Sequence, residues 1–177
     1  MILTSFVNQA LSILTVLGQV AVIALVILLF LRKHESGLVR FVARHALALA
    51  FLVALIATAG SLTYSDVIGY APCKLCWFQR IFMYPQVILL GIALWKKDRA
   101  VINYALGLSI PGAFIAGYHY LLQLGVAPTL SCGAVGYSVS CAQRFVLNFG
   151  YITIPLMAFT AFALIIIFSL VQKRASR

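Results

Sequence analysis

The sequence predicts an all-α integral membrane protein: a four-helix transmembrane bundle with one extra transmembrane helix at its N-terminus. Three observations lead there. Of the 177 residues, 64% are hydrophobic and 9% charged, too little charge to coat a soluble globule. Five stretches are apolar over roughly the 20 residues that a helix needs to cross a hydrocarbon core: 10–31, 46–62, 77–95, 100–124 and 151–171. The basic residues behind the net charge of +10 punctuate these runs and are not gathered on one polar face, so no nucleic-acid partner is expected.

Each element has its own justification. The first run is long, no basic residue precedes it, and Arg32-Lys33 follows it directly. It therefore reads as a retained helix and not as a cleavable signal. With the basic segment behind it, it forms a unit over 1–45, distinct from the bundle over 46–177. The third run is interrupted near its start by Gln79 and Arg80, but Trp77 and Trp95 mark its ends as interfacial anchors. The fourth carries small residues every fourth position, Ala105, Ser109, Ala113 and Gly117, a ridge that lets helices approach closely. Near its far end stand Tyr118-His119-Tyr120 and Gln123.

Orientation follows from lysine and arginine, which concentrate on the cytoplasmic side of short-looped membrane proteins. Arg32, Lys33, Arg40 and Arg44 lie between the first two runs, Lys96, Lys97 and Arg99 between the third and fourth, and Lys173, Arg174 and Arg177 after the fifth. That is ten of the thirteen basic residues on one side, leaving Lys74, Arg80 and Arg144 for the other. The expected topology has the N-terminus outside and the C-terminus in the cytoplasm. All four cysteines then face the extracytoplasmic side, where disulfides persist.

Cys73 and Cys76 stand in Pro72-Cys73-Lys74-Leu75-Cys76-Trp77-Phe78-Gln79-Arg80, at the start of the third helix. A Cys-x-x-Cys at a helix start is a redox arrangement, because the free N–H groups and positive dipole end stabilise a thiolate. Arg80 follows Cys76 by four residues, one turn along the same face. A fixed charge a turn into the bilayer marks a functional site by default. The second pair, Cys132 and Cys141, lies in a loop over 125–150 whose Ser131-Cys132-Gly133-Ala134-Val135-Gly136 stretch gives another protein easy access for thiol–disulfide exchange. The segment 142–149 fits either a short interfacial helix or a plain re-entry loop. His119, at nearly the depth of Arg80, is either a hydrogen-bonded packing residue or a direct ligand contact.

The plain alternatives for the cysteines are a structural zinc site or two stapling disulfides, as in a small polytopic transporter or scaffold. Zinc usually takes two compact Cys-x-x-Cys knuckles, whereas eight residues separate Cys132 from Cys141, so no metal ligand is assigned. A c-type haem is disfavoured by Trp77 at the position of the attachment histidine. A relay from the outer pair to the inner pair would need an electron sink in the bilayer. A lipid-soluble quinone requires only a greasy slot with a polar cap, and Arg80 suits the charge on its reduced form.

These residues resemble the disulfide bond formation protein B (DsbB) family, in particular its short-looped, BdbC-like branch: Pro72-Cys73-x-x-Cys76, aromatic Trp77 and Phe78, Arg80, then an external cysteine pair before the last helix. The resemblance covers residues 46–171. It implies a four-helix membrane bundle in the bacterial cytoplasmic membrane that reoxidises an exported thioredoxin-fold, DsbA-like thiol oxidant and passes the electrons to ubiquinone or menaquinone. It further implies that Cys132 forms the mixed disulfide with the partner, that Cys141 is its mate, that Cys76 is the thiolate at the quinone, and that Arg80 and His119 bind the cofactor. Two features depart from the family: the extra first helix and the short Cys132–Cys141 spacing, which leaves no room for a long interfacial helix. A vitamin-K-epoxide-reductase-like bundle fits less well, because there the Cys-x-x-Cys falls near the last helices.

Overall fold

The computed structural model describes residues 2–31, 36–127 and 140–175. Five helices run through them: α1 Ile2–Phe30, α2 Gly37–Leu62, α3 Lys74–Lys96, α4 Val101–Gln123 and α5 Ile154–Ala175. All five are long and apolar enough to cross a membrane, and no strand occurs among the described residues. The protein is an all-α, multi-pass membrane protein.

Two helices begin well before the apolar runs that signalled them. α1 is helical from Ile2 although its apolar run starts at residue 10. α2 starts at Gly37, where the Ser36 hydroxyl accepts the Val39 N–H at 3.3 Å and so fills a vacant cap position. Arg40 and Arg44, expected in a connecting segment, therefore ride exposed on the first turns of α2, while Val39, Val42 and Ala46 face inward. At its other end α2 widens into a π-helical turn, Thr63–Val67, which buries Tyr64. Between α3 and α4 the turn is tight: Lys97 takes a left-handed cap (φ 54°) and Asp98 Oδ1 accepts the Ala100 N–H at 2.8 Å.

α2, α3, α4 and α5 form a ring in which each packs on its sequence neighbour and α5 closes back onto α2. α1 lies outside this ring, mainly against α5. The fourth helix does use small residues for close approach, but with a different phase from the four-residue ridge. Burial follows Ala105, Ser109, Gly112, Ala116, His119 and Gln123, the 3.6-residue drift of a real helix, and Ala113 and Gly117 fall to the side. At Gly112 a Cβ would sit 2.5 Å from the Phe162 ring of α5. Deep between α3 and α4, Ser109 donates to Gln86 Oε1 at 3.0 Å, and both side chains are fully buried.

Residues 142–149 are not helical. They form a re-entry loop ending in a turn with positive φ at Phe149 and Gly150 (51° and 77°), closed by paired hydrogen bonds between Asn148 and Ile152. Gly150 suits this backbone, which costs a side-chain-bearing residue more.

The Gly112 contact gives a stability test. Gly112→Ala is expected to destabilise the detergent-solubilised protein by about 1–3 kcal/mol through overpacking against Phe162. Gly107→Ala on the same helix meets nothing within 4 Å and is expected to be neutral or stabilising in the same thermal melt.

Candidate redox site

The cysteine end of the bundle is built from the π-helical turn, the start of α3, the end of α4 and the re-entry loop. Cys73 caps α3 in extended conformation, and its carbonyl accepts the Trp77 N–H at 3.1 Å, closing the first turn. The helix then brings Cys76 round so that the two sulfurs lie 3.3 Å apart, Cys73 donating to Cys76. Cys73 is 4% exposed and Cys76 more open. The hydrogen bond to Cys76, together with burial, pushes the Cys73 thiol up to about 12. In the dithiol state Cys73 therefore keeps its proton.

Behind Cys73 lies His119 of α4, 1% exposed. Its Nε2 is 3.0 Å from the Cys141 carbonyl oxygen, which can only accept, so the proton sits on Nε2. Nδ1 then accepts from Gln79 Nε2 at 2.9 Å, and the imidazole's own Nε2 is 3.7 Å from Cys73 Sγ. One imidazole thus ties α3, α4 and the re-entry loop together. Cys141 is 1% exposed and packs with Cys73 and Leu122. The loop is held further along as well: Gln123 Nε2 donates to the Gln143 carbonyl at 3.0 Å, Arg144 donates to the Gln123 carbonyl, and Phe145 stacks on Tyr70, which stacks on Tyr64. Cys132 lies outside the described residues.

On the other side of the Cys-x-x-Cys is a cavity of about 320 Å³. Cys76, Arg80, Ser61 and Tyr84 contribute to its lining, and most of the remainder is aliphatic or aromatic. Arg80 donates through Nε to the Ser61 hydroxyl and through Nη2 to the Ser61 carbonyl, both at 3.1 Å, and Tyr84 also donates to that hydroxyl at 3.1 Å. The guanidinium lies 5.1 Å from the Trp77 ring centre and 5.8 Å from that of Tyr84. Cys73 and His119 are absent from this lining and instead border a smaller recess of about 20 Å³ with Gln123 and Gln143, which Cys76 also reaches.

The predicted residues therefore fall into two groups. Arg80 belongs to the large cavity and Cys73, His119 and Cys141 cluster behind it, while Cys76 stands between them, bordering the cavity on one side and the Cys73 cluster on the other. Ser61, Gln79 and Tyr84 complete the site. Only Gln79 left a trace in the sequence, as a polar break in an apolar run. Ligand atoms of Cys73, Cys76 and His119 come within 4.8 Å of one another, the spacing of a metal site. His119 Nε2 is already committed to the Cys141 carbonyl, so holding a cation would mean giving up that bond. A quinone fits the large cavity better: its volume is in the usual range for small-molecule sites, its wall is mostly apolar, and Ser61 and Tyr84 gather around Arg80 on one side of it.

Fold and site together define a membrane dithiol oxidoreductase. The sequence pattern of the disulfide bond formation protein DsbB matches residues 43–172, and the chain belongs to that family. It is 45% identical over 129 residues to disulfide bond formation protein C of Bacillus subtilis, covering 70% of this chain and 89% of that protein. It is also 45% identical over 117 residues to the SPbeta prophage-derived disulfide bond formation protein B of the same organism, with 66% and 78% covered. Over 130 residues it is 42% identical to a probable disulfide formation protein of Metapseudomonas resinovorans, with 72% and 89% covered. No solved structure matches significantly. Membership supports a role in disulfide-bond formation in a membrane and favours the redox reading over a stapled transporter or scaffold.

The hydrogen bond between the two thiols gives the next test. In the reduced protein Cys73 should resist alkylation at neutral pH, its rate rising roughly tenfold per pH unit up to about pH 11. Peptide mapping by mass spectrometry reads each site separately. A Cys73 rate that levels off near pH 8 would contradict the assignment.

Proposed function

We propose that the protein reoxidises an exported thioredoxin-fold, DsbA-like dithiol protein and delivers the electrons to a membrane quinone. The observation carrying this reading is that the Cys-x-x-Cys straddles two compartments: Cys73 packs on Cys141, while Cys76 opens onto the apolar cavity with Arg80.

The chemistry runs as exchange. A partner thiolate attacks Cys132 of a Cys132–Cys141 disulfide, and Cys141 leaves as a thiolate. The partner's second thiol resolves the mixed disulfide, so the partner is oxidised and Cys132 released. Cys141 then attacks Cys73, its packing neighbour, in the oxidised Cys73–Cys76 pair; the Cys141–Cys73 bond forms and Cys76 leaves as a thiolate at the cavity. Cys132 attacks Cys141, restoring the outer disulfide and freeing Cys73, which takes up a proton. Two electrons have moved from the partner to the inner pair.

A quinone held by Cys76, Arg80 and Tyr84 supplies a two-electron, two-proton sink. Arg80 places its charge where negative charge develops, and Ser61 fixes its direction through two hydrogen bonds. His119 acts as a positioning residue, holding the Cys141 carbonyl beside Cys73. The proposed setting is the bacterial cytoplasmic membrane, with the N-terminus and both cysteine loops extracytoplasmic and the C-terminus cytoplasmic. The antiparallel helix order supports it, since Lys96, Lys97, Lys173 and Arg174 end α3 and α5 away from the cysteines.

Purified protein mixed with a reduced thioredoxin-fold oxidant and a quinone, followed by quinone absorbance, tests this. Cys76→Ser should abolish turnover, and Arg80→Ala should lower it roughly a hundredfold, with Arg80→Lys in between. Unchanged turnover in Cys76→Ser or Arg80→Ala would remove the assigned role.

A further inference from the structure

α1 lies outside the stretch that matches the family, which begins at residue 43, and its two halves differ. Its buried face reads Ser12, Thr15 and Gly18 toward the cysteine end but Leu25 and Leu29 toward the other. The small residues let α1 sit close. A Cβ at Gly18 would meet Leu164 at 3.0 Å and Thr160 at 3.1 Å on α5, and a Cβ at Gly60 of α2 would meet Leu11 at 3.1 Å. Polar tethers hold the same half: Asn148 Nδ2 donates to Ser12 Oγ at 2.8 Å and to the Asn8 carbonyl at 3.0 Å, and the Tyr151 hydroxyl donates to Gln19 Oε1 at 3.0 Å. Within a bilayer, close packing of small residues and interhelical hydrogen bonds are the principal cohesive forces. α1 is thus seated at one place on the ring, at the depth of the redox site.

There Leu11, Leu14 and Thr15 line the same cavity as Cys76 and Arg80. We propose that α1 is a working wall of the quinone site: Leu11 and Leu14 hold the apolar body of the quinone and keep bilayer acyl chains from that side of the cavity. The tethers run from α1 to Asn148 and Tyr151, in the segment that joins Cys141 to α5, so the wall and the sulfur relay share one support. This inference rests on the reading of the cavity as a quinone site.

The test uses the full-length protein with both cysteine pairs oxidised, so that binding is measured without electron transfer. The probe is a decyl-tailed benzoquinone, titrated by quenching of tryptophan fluorescence. The double variant Leu11→Ala, Leu14→Ala should raise the Kd roughly tenfold, from lost apolar contact. Leu17→Ala, on the lipid-facing side of α1 at 60% exposure and outside the cavity lining, should leave it unchanged. Gly18→Leu, which lifts α1 off α5, should act in the same direction as the double variant; if it does not fold, the leucine pair alone decides. A Kd for the double variant within about twofold of the parent, or an equal loss in Leu17→Ala, would overturn the proposal. Failure of the parent protein to bind the probe would instead strike at the cavity reading itself.

Discussion

An arginine inside a bilayer must find hydrogen-bond partners within the protein, because hydrocarbon offers none. That requirement organises the cysteine end of this molecule. Arg80 is satisfied by the side chain and backbone of Ser61, which fixes the end of α2 against α3. The guanidinium also lies against the Trp77 and Tyr84 rings while bordering the cavity. A fixed cation therefore stands beside the open cysteine of the pair, where a developing negative charge gains most from it.

The same rule governs the groups behind Cys73. His119 and Gln79 are buried and polar, and each is matched: Gln79 to Nδ1, the Cys141 carbonyl to Nε2. Because the imidazole accepts from one helix and donates to the re-entry loop, Cys141 is brought to Cys73 by polar contacts that lie deep in the protein. The two thiols of the Cys-x-x-Cys then differ in surroundings as well as position. One is enclosed and retains its proton, and the other faces the cavity.

Hydropathy made the five helices legible, since twenty apolar residues in a row have few other uses. It missed the first turns of α1 and α2, where Asn8, Arg40 and Arg44 break the apolar count while the helical backbone runs on, Arg40 and Arg44 staying exposed. Cys76 and Arg80 were legible together because a four-residue spacing on a helix fixes a shared face. Ser61 was not, because a serine near a helix end carries no signal until its distant partner is known. The phase of the small-residue ridge on α4 was misjudged for a related reason: a strict four-residue repeat drifts round a 3.6-residue helix, and Phe162 selects Gly112 instead of Ala113. The adjacency of His119 and Cys141 depends on how the loop folds back, which no local pattern encodes.

The central claim is that electrons pass between the pairs through Cys141 and Cys73, leaving Cys76 to the cavity. Trapping that contact tests it most directly. In a Cys76→Ser, Cys132→Ser variant, mild oxidation followed by mass spectrometry of linked peptides should give the Cys73–Cys141 disulfide as the main product. Recovery of both cysteines as unlinked thiols under the same conditions would contradict the claim.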